Sequence, residues 1–488
     1  MDILSITSLK RKLLTPRPLN PFLILLITFT GAVLRFYKLG YRGFWCDEAG
    51  SVLAATGQGS FNNPHPPLSF VILRIFIDIL GTNEFTARLP ACLFGIATIP
   101  LTYLLGKQLF GEKEGMLASF IISVSQWYVI WSQQARMYTE LTVFTILAFY
   151  FFYKAVYKEN LMSYVLSAVF GILAFYTHYS AIFIVVIIAC WLILRNFFAN
   201  TENNINYRHL MLFFALFFVL ILPLFFISIP QSLDLKFGDA EPQWGSDIYE
   251  FLFFFFRYSI GPIWSLFSMF GAIYLILQRN NAGYLLATYA TIPLVTFAVL
   301  SFRITVVTRY LIFTLPAYAL LASYLIMELF DRILNHEREK EFRFTSLKNL
   351  NLSVFLAFVF LFIIVIRIVN PSALHYYYFE DEGNADWKSA CAYVASVMEP
   401  EDLIAATGDK VVYYYLGKVD YRLSIELFEP SAFEEIKNSD ERVWLIIDDG
   451  RIKTIDPDHE FRDWIASDCE LMKEVYRVKV YLFTPKNV

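Results

Sequence analysis

Charged side chains are scarce in this sequence: Asp, Glu, Lys and Arg make up 17% of its 488 residues, and the formal net charge is −4. Without a basic tail, the chain lacks the electrostatic footprint of a nucleic-acid-binding protein. It also lacks Gly- or Pro-rich low-complexity stretches, which excludes a disordered or fibrous protein. The five cysteines never fall in a CxxC spacing, so neither a zinc knuckle nor a redox pair is indicated.

Apolar residues dominate instead. They form 57% of the chain, with 18% aromatics, and the mean hydropathy of +0.50 exceeds what a water-soluble domain needs for its core. The charge is unevenly placed, because residues 371–488 carry 13 Lys and Arg against 24 Asp and Glu, whereas residues 1–370 carry 27 against 20. The sequence therefore predicts a polytopic α-helical membrane domain at 1–370 and a soluble domain at 371–488.

Two rules predict the membrane topology: a span needs about 20 apolar residues, and loops rich in Lys and Arg stay in the cytoplasm. Basic residues precede the first apolar segment and no small-residue cleavage site follows it, so we expect an anchored span and a cytoplasmic N-terminus. An odd count of about eleven spans places the C-terminal domain on the extracytoplasmic side. The predicted spans are residues 20–36, 88–109, 116–131, 139–157, 162–177, 180–196, 210–229, 262–278, 283–301, 309–328 and 351–369.

Two apolar segments are predicted to lie along the membrane surface rather than cross it. The segment from Pro67 to Leu80 is too short for a span and contains Arg74 and Asp78. It would leave residues 37–87 as one long external loop. The aromatic-rich segment 249–260 is the second such candidate.

The C-terminal region alternates helix-like and strand-like runs, which predicts a small extracytoplasmic α/β domain. It contains no phosphate-binding glycine loop and no nucleophile motif, which favours a binding or structural role over catalysis. The predicted runs are Trp387–Met398, Leu403–Ala406, Phe433–Lys437, Val443–Asp448, Phe461–Ala466 and Val475–Phe483.

Adjacent carboxylates follow the first span. Asp47 and Glu48 stand between Trp45 and Ala49 at the outer membrane edge, where a buried charge is costly and invites a functional explanation. Such a pair suits removal of a proton from an acceptor hydroxyl, or metal ligation through oxygen. The alternative is an exposed acid pair that starts a helix.

Further polar side chains fall on the same predicted outer side. His65 lies between prolines and is either a site residue or a hydrogen-bonded structural residue. The string SQQARMYTE supplies Gln134, Arg136, Tyr138 and Glu140, which either line a hydrophilic cavity or, for Arg136, reach the lipid headgroups.

Two arginines mark the outer ends of two later spans. Arg303 and Arg309 either anchor their spans at the membrane interface or bind a phosphate group, because the guanidinium fork of donors matches phosphate oxygens.

Five strings, in this order, resemble one family: RFYKLGYRGFWCDEA, HPPLSFVILRIF, ARLPACLFGIATIPLTYLLGKQLFG, SQQARMYTEL and RYLIFTLPAYALL. The chain resembles the GT-C membrane glycosyltransferases, in the dolichyl-phosphate-mannose-protein mannosyltransferase-like (glycosyltransferase family 39, aminoarabinose-transferase-like) branch. The resemblance implies that Asp47 is the catalytic base with Glu48 as its neighbour. It also implies a polyprenyl-phosphate-linked sugar donor and transfer with inversion on the extracytoplasmic side.

One departure from the family affects the cofactor prediction. The common family string is SQEARMY, whereas this chain has Gln134 in place of the glutamate. If that acid binds a metal or orients the acceptor in relatives, Glu140 replaces it here or the protein works without it, so a divalent metal stays an open possibility. No nucleotide or redox cofactor is implied.

The expected function is that of an inverting glycosyltransferase whose partners are a polyprenyl-phosphate sugar, membrane lipids and a protein, lipid or glycan acceptor. The alternative is a membrane transporter, or a protein that binds or assembles lipid-linked glycans without transfer. Transporters commonly carry internal repeats and broken spans near the midplane, whereas this chain concentrates its unusual polar residues on one face beside a long external loop. That distribution favours the transferase.

Overall fold

The computed structural model describes residues 21–58, 65–198, 205–227, 248–302, 306–341, 385–423, 431–456 and 458–485. Its larger part is helical, as the long apolar segments predict. The helices are α1 Pro21–Phe36, α2 Cys46–Thr56, α3 Leu68–Leu80, α4 Glu84–Leu109, α5 Glu112–Val124, α6 Gln126–Ser132, α7 Tyr138–Lys158, α8 Leu161–Thr177, α9 Ile182–Phe198, α10 Tyr207–Ile227, α11 Ile248–Phe254, α12 Pro262–Leu277, α13 Asn281–Leu300 and α14 Leu315–Glu341. Short 3₁₀ segments, Tyr179–Ala181 and Thr308–Thr314, precede α9 and α14, and a π-helical turn, Phe255–Ile260, follows α11.

Six of these helical segments are long and apolar enough to cross a membrane, or eight if each of two bent pairs is one span. Ten of the eleven predicted spans coincide with helices, and the eleventh, 351–369, lies outside the described residues. Four of the ten have only 16 or 17 residues as α-helices, namely α1, α8, α9 and α12, although the 3₁₀ segment before α9 lengthens that span to 20 residues. The membrane helical class is therefore confirmed, whereas the count of eleven crossings and their orientation stay predictions.

The predicted span 116–131 is two helices, because α5 and α6 meet at 60° on either side of Ser125. A break leaves helix carbonyls without their usual partners. The fully buried Arg35 of α1 supplies donors there: its guanidinium reaches the carbonyls of Ile122 and Ser123 at 3.0 and 2.9 Å and the hydroxyl of Ser132 at 3.2 Å. The bend therefore sets the position of the polar segment that follows α6.

The predicted surface helix at 67–80 is present as α3. Its Ser69, Leu73 and Ile77 are buried, while Ile75 and Ile79 are exposed. The second predicted surface segment, 249–260, is also helical and lies within α11 and the π-helical turn that follows it.

The C-terminal domain is α/β, as predicted. Its five-stranded sheet has the order β2-β1-β3-β5-β4, in which β1 pairs in parallel with β2 and β3, and β5 pairs antiparallel with β3 and β4. The predicted strand 475–483 is wrong at its start, because Tyr476 and Arg477 form a turn between β4 and β5. The elements are α15 Trp387–Val397, β1 Leu403–Ala406, α16 Asp409–Leu416, β2 Tyr421–Arg422, α17 Ser431–Lys437, β3 Val443–Asp448, α18 Asp449–Ile455, α19 Glu460–Asp468, β4 Cys469–Val475 and β5 Val478–Phe483.

The C-terminal domain packs on the loop that carries the acid pair. Phe44, Cys46 and Val52 share one buried apolar cluster with Val411 and Val412 of α16. The polar contacts at this interface centre on Glu84, whose carboxylate accepts from the Tyr415 hydroxyl at 3.0 Å and pairs with Lys388 at 2.7 Å. The Tyr415 hydroxyl also accepts the backbone N–H of Phe44 at 2.9 Å. The soluble domain thus holds the start of α2.

Candidate active site

Asp47 is the second residue of α2 and keeps 30% of its side chain exposed. Its Oδ2 lies 3.2 Å from Nη2 of Arg309, which stands in the 3₁₀ segment before α14. The Arg136 guanidinium donates to the Asp47 backbone carbonyl at 3.1 Å and to the Ser51 hydroxyl at 3.0 Å. The structure therefore brings together three of the predicted site residues from segments far apart in the chain.

Positive charge surrounds the Asp47 carboxylate. Burial raises the pKa of Asp47, but the charges of Arg136 and Arg309, and then those of Lys410 and Arg451 in the soluble domain, outweigh it and hold the pKa below its ordinary value of 3.8. Asp47 is consequently ionised at neutral pH, which is the state a general base requires.

Glu48 has different surroundings. Its side chain is fully buried and forms a two-pronged pair with Arg88 of α4, at 2.8 Å from Nε to Oε1 and 2.7 Å from Nη2 to Oε2. Oε1 also accepts the backbone N–H of Ala135 at 2.8 Å. Arg88 in turn donates to the carbonyls of Leu39, Arg42 and Gly43. Glu48 therefore joins α2, α4 and the segment before α7, and this geometry fits a positioning role.

His65 and Tyr138 both contact Arg136. Nη2 of Arg136 lies 3.1 Å from Nε2 of His65. The Arg136 guanidinium carbon lies 6.0 Å from the centre of the Tyr138 ring. Arg309 has aromatic neighbours as well, with its guanidinium carbon 5.5 and 5.7 Å from the ring centres of Trp45 and Trp131. Cation–π contacts of this kind orient a guanidinium without neutralising it.

Two predicted residues, Gln134 and Glu140, form no hydrogen bond or ion pair with Asp47 among the described residues. Arg303 lies outside the described residues. The side-chain oxygen of Gln134 is buried and has no hydrogen-bond partner in the described ranges. Glu140 is buried in α7, where it lines a small recess with Ser51, Ser69 and Arg136.

No set of metal ligands is seen in the part of the chain that the structure describes. There, no group of three or more His, Cys, Asp or Glu side chains is placed to share an ion. The role of Glu140 in place of the family's glutamate stays a prediction.

Several residues at the site were not singled out from the sequence. Arg88 follows a predicted loop, where an arginine is also explained as an interfacial anchor. Lys410 and Arg451 come from the soluble domain, so only its docking brings them near Asp47. His178, at the end of α8, lies among the rings next to both site arginines. No local pattern in the sequence marks Lys410, Arg451 or His178, and Arg88 stands out only as part of the family-like string ARLPACLFGIATIPLTYLLGKQLFG.

Comparison with known proteins agrees with this fold. Residues 64–225 match the family model described as dolichyl-phosphate-mannose-protein mannosyltransferase. The crystal structure of apo ArnT from Cupriavidus metallidurans superposes with a TM-score of 0.65 at 13% identity, covering 94% of this chain and 97% of ArnT. The oligosaccharyltransferase of Archaeoglobus fulgidus gives a TM-score of 0.61 at 11% identity, covering 87% of this chain and 69% of that one.

A curated relative matches over a shorter stretch. The putative mannosyltransferase YkcB of Bacillus subtilis is 27% identical over 143 residues, which is 29% of this chain and 18% of YkcB. The chain spans less than a third of the length of the curated relatives it matches.

The chain therefore shares the overall fold of ArnT and of the archaeal oligosaccharyltransferase. The family match over residues 64–225 and the structural likeness to ArnT agree with the resemblance that the sequence motifs predict.

Proposed function

We propose that the protein is an inverting glycosyltransferase that moves a sugar from a polyprenyl-phosphate donor to an acceptor hydroxyl at the extracytoplasmic membrane face. The observation that carries this proposal is the contact between Asp47 and Arg309, because it sets a partly exposed carboxylate beside a cation that can hold a phosphate. A base and a leaving-group stabiliser side by side are what a direct displacement requires.

In the proposed reaction, the acceptor oxygen attacks the anomeric carbon while the bond from that carbon to the phosphate oxygen breaks. Asp47 takes the proton of the acceptor hydroxyl, and the bonding electron pair leaves with the lipid phosphate. Arg309 and Arg136 stabilise the charge that develops on the phosphate. A bound phosphate also draws Arg309 away from Asp47 and adds negative charge beside it. Both changes raise the pKa of Asp47 and make it a stronger base.

Known ligands of the structural neighbours support the donor class. ArnT has been crystallised with undecaprenyl phosphate, and the Archaeoglobus fulgidus oligosaccharyltransferase has been determined with an inhibitory peptide and a dolichol-phosphate. The family description names a dolichyl-phosphate sugar as donor. For this chain, we infer a polyprenyl-phosphate sugar and leave the acceptor as a hydroxyl of a protein, lipid or glycan.

The predicted topology supports the membrane side in this proposal. The basic residues before α1 predict a cytoplasmic N-terminus, and the soluble domain packs against the same loop as Asp47. A single cysteine introduced into the soluble domain should react with a membrane-impermeant reagent in intact cells. Labelling only after lysis would reverse the proposed orientation.

The direct test is transfer by the purified protein. Polyprenyl-phosphate sugars are offered in a panel with protein, lipid and glycan acceptors, and the acceptor mass is measured. A mass gain of one sugar residue, absent without enzyme, is the expected result. Tight binding of the donors with no mass gain on any acceptor would favour the alternative of a lipid-linked-glycan binding protein.

A further inference from the structure

We propose that Glu140 binds a hydroxyl group of the donor sugar in the small recess that it lines. This inference rests on the proposed function, because it assumes a sugar donor. Glu140 lies in the first turn of α7 and is 3% exposed. The recess lies where α7 meets α2, α3 and α4, which contribute Ser51, Ser69 and Ala87 to its lining.

The Glu140 carboxyl group is buried without a partner at one of its oxygens. Oε2 is shielded from solvent and has no hydrogen bond within the ranges that the structure describes. By contrast, the buried carboxylate of Glu48 is paired with Arg88. An unpaired carboxyl group in a protein interior is costly. Glu140 therefore has hydrogen-bonding capacity that the described residues do not use.

Two further residues of the recess carry unpaired polar atoms. Oγ of Ser69 and Nε of Arg136 are buried and lack a hydrogen-bond partner in the described part of the chain. Both residues are more than nine-tenths buried. A carboxylate only accepts, a guanidinium only donates, and a serine hydroxyl does both. The recess thus calls for a ligand group that both donates and accepts.

A hydroxyl group meets that requirement, because it donates to Glu140 and accepts from Arg136 or Ser69. An ammonium group only donates and would bring a second positive charge next to Arg136. A phosphate would meet Glu140 with like charge. Water also donates and accepts, so a recess that holds only water is the main alternative to a sugar hydroxyl.

The recess adjoins the carboxylate that is proposed as the base. Ser51 follows Asp47 by about one turn of α2, and its hydroxyl donates to the Asp47 carbonyl at 2.9 Å. One turn advances a helix by about 5.4 Å, a distance that the hydroxyls of a single sugar ring can span. The anomeric carbon of the donor must reach Asp47 and Arg309 in the proposed reaction, whichever acceptor is used. A hydroxyl of the same sugar is therefore the group that best fits the recess.

Two substitutions at Glu140 and one control separate sugar binding from a structural role. Glu140→Met keeps nearly the same volume but removes the carboxyl group, whereas Glu140→Gln keeps one acceptor oxygen. Thr145→Val is the control, because the Thr145 hydroxyl is also buried on α7 and unpaired among the described residues, but does not line the recess. Each change removes or weakens an unpaired polar group, so we expect all three variants to unfold at or above the wild-type temperature.

The experiment measures the affinity of each variant, in nanodiscs, for polyprenyl phosphate and for its mannose, glucose and galactose derivatives. The wild-type protein should bind at least one of these sugar lipids more tightly than polyprenyl phosphate. We expect Glu140→Met to bind that sugar lipid about tenfold more weakly, because it loses a hydrogen bond to a charged group. Glu140→Gln should lose less affinity, and Thr145→Val none. Affinity for polyprenyl phosphate should stay at the wild-type value in all three variants.

The contrary results are distinct. Wild-type affinity of Glu140→Met for every sugar lipid would overturn the role of Glu140, indicate that the recess holds only water, and leave the proposed function intact. A higher acceptor KM in the transfer assay, with unchanged donor affinity, would move the hydroxyl from the donor to the acceptor and overturn the donor assignment.

Three other outcomes would also contradict the role of Glu140. They are an equal loss of affinity for polyprenyl phosphate, the same loss in Thr145→Val, and a lower unfolding temperature of Glu140→Met. Equal wild-type affinity for all four lipids would show that the protein does not hold the sugar. A wild-type protein that binds none of the four lipids would overturn the donor class, and the role of Glu140 with it.

Discussion

Two carboxylates that are neighbours in the sequence occupy opposite environments. Asp47 is partly exposed and meets Arg309 through a single contact at 3.2 Å, whereas Glu48 is fully buried in a two-pronged pair with Arg88. On a helix, adjacent residues point in different directions, so one faces the open site and the other faces the protein. The difference supports the proposal that Asp47 acts as the base and that Glu48 positions the helix.

Glu48→Gln should give the largest change, and the change should be in stability. It leaves the buried guanidinium of Arg88 without its counter-charge, which typically costs about 3–5 kcal/mol. We expect a lower unfolding temperature in detergent. Glu328→Gln is the matched control, because Glu328 pairs with Arg332 on the exposed end of α14. Equal stability of the two variants would contradict the positioning role.

Arg309→Ala tests the role of the cation beside Asp47. Without the Arg309 guanidinium, the donor phosphate loses a charge-assisted hydrogen bond, worth about 1.5–3 kcal/mol. Donor affinity should therefore fall by about tenfold to a hundredfold. Arg309→Lys should recover part of it, because lysine keeps the charge but loses the fork. Donor binding is measured by titration in nanodiscs.

The control for Arg309 is Arg332→Ala, which removes an exposed arginine of α14. Unchanged donor affinity in Arg309→Ala would remove this residue from the phosphate site. A similar loss in Arg332→Ala would indicate a general effect of net charge.

The smallest effect is expected from a change at Tyr415, which contacts neither Asp47 nor Glu48 but holds the segment that carries both. Tyr415→Phe removes the hydroxyl that links Phe44 and Glu84, at a cost of about 1 kcal/mol. We expect a small loss of stability and a modest loss of turnover, measured by thermal unfolding and by the transfer assay. Tyr481→Phe, on β5 of the same domain, is the control and should change neither. Full turnover in Tyr415→Phe would mean that docking of the soluble domain does not position α2.

The sequence predicts those parts of the fold in which local pattern and burial agree. Strands β1 and β3 have their predicted bounds, because each is a short, almost wholly buried apolar run. Strand β4 escaped prediction, because Glu470, Lys473 and Glu474 put charge on an edge strand with little buried surface. The bend between α5 and α6 escaped as well. Apolar composition is continuous across Ser125, and the donors that stabilise the break come from Arg35, about 90 residues away in the chain.

For the site, residue types were predictable and their pairings were not. The sequence marks Asp47 and Arg309 as charges at the predicted membrane edge, but they lie 262 residues apart, and only the fold shows that they meet. Adjacency in the sequence pairs Glu48 with Asp47, not with Arg88. Its partner Arg88 is 40 residues away, at the start of a span, where an arginine is ordinarily explained by anchoring.

The most direct test of the division between the two carboxylates is to measure transfer rate, donor affinity and unfolding temperature of Asp47→Asn in one nanodisc preparation. Asparagine is nearly isosteric but cannot accept the proton, so turnover should fall by about 10²-fold or more while donor affinity and unfolding temperature stay near wild type. Near-normal turnover in Asp47→Asn would contradict the assignment of Asp47 as the general base.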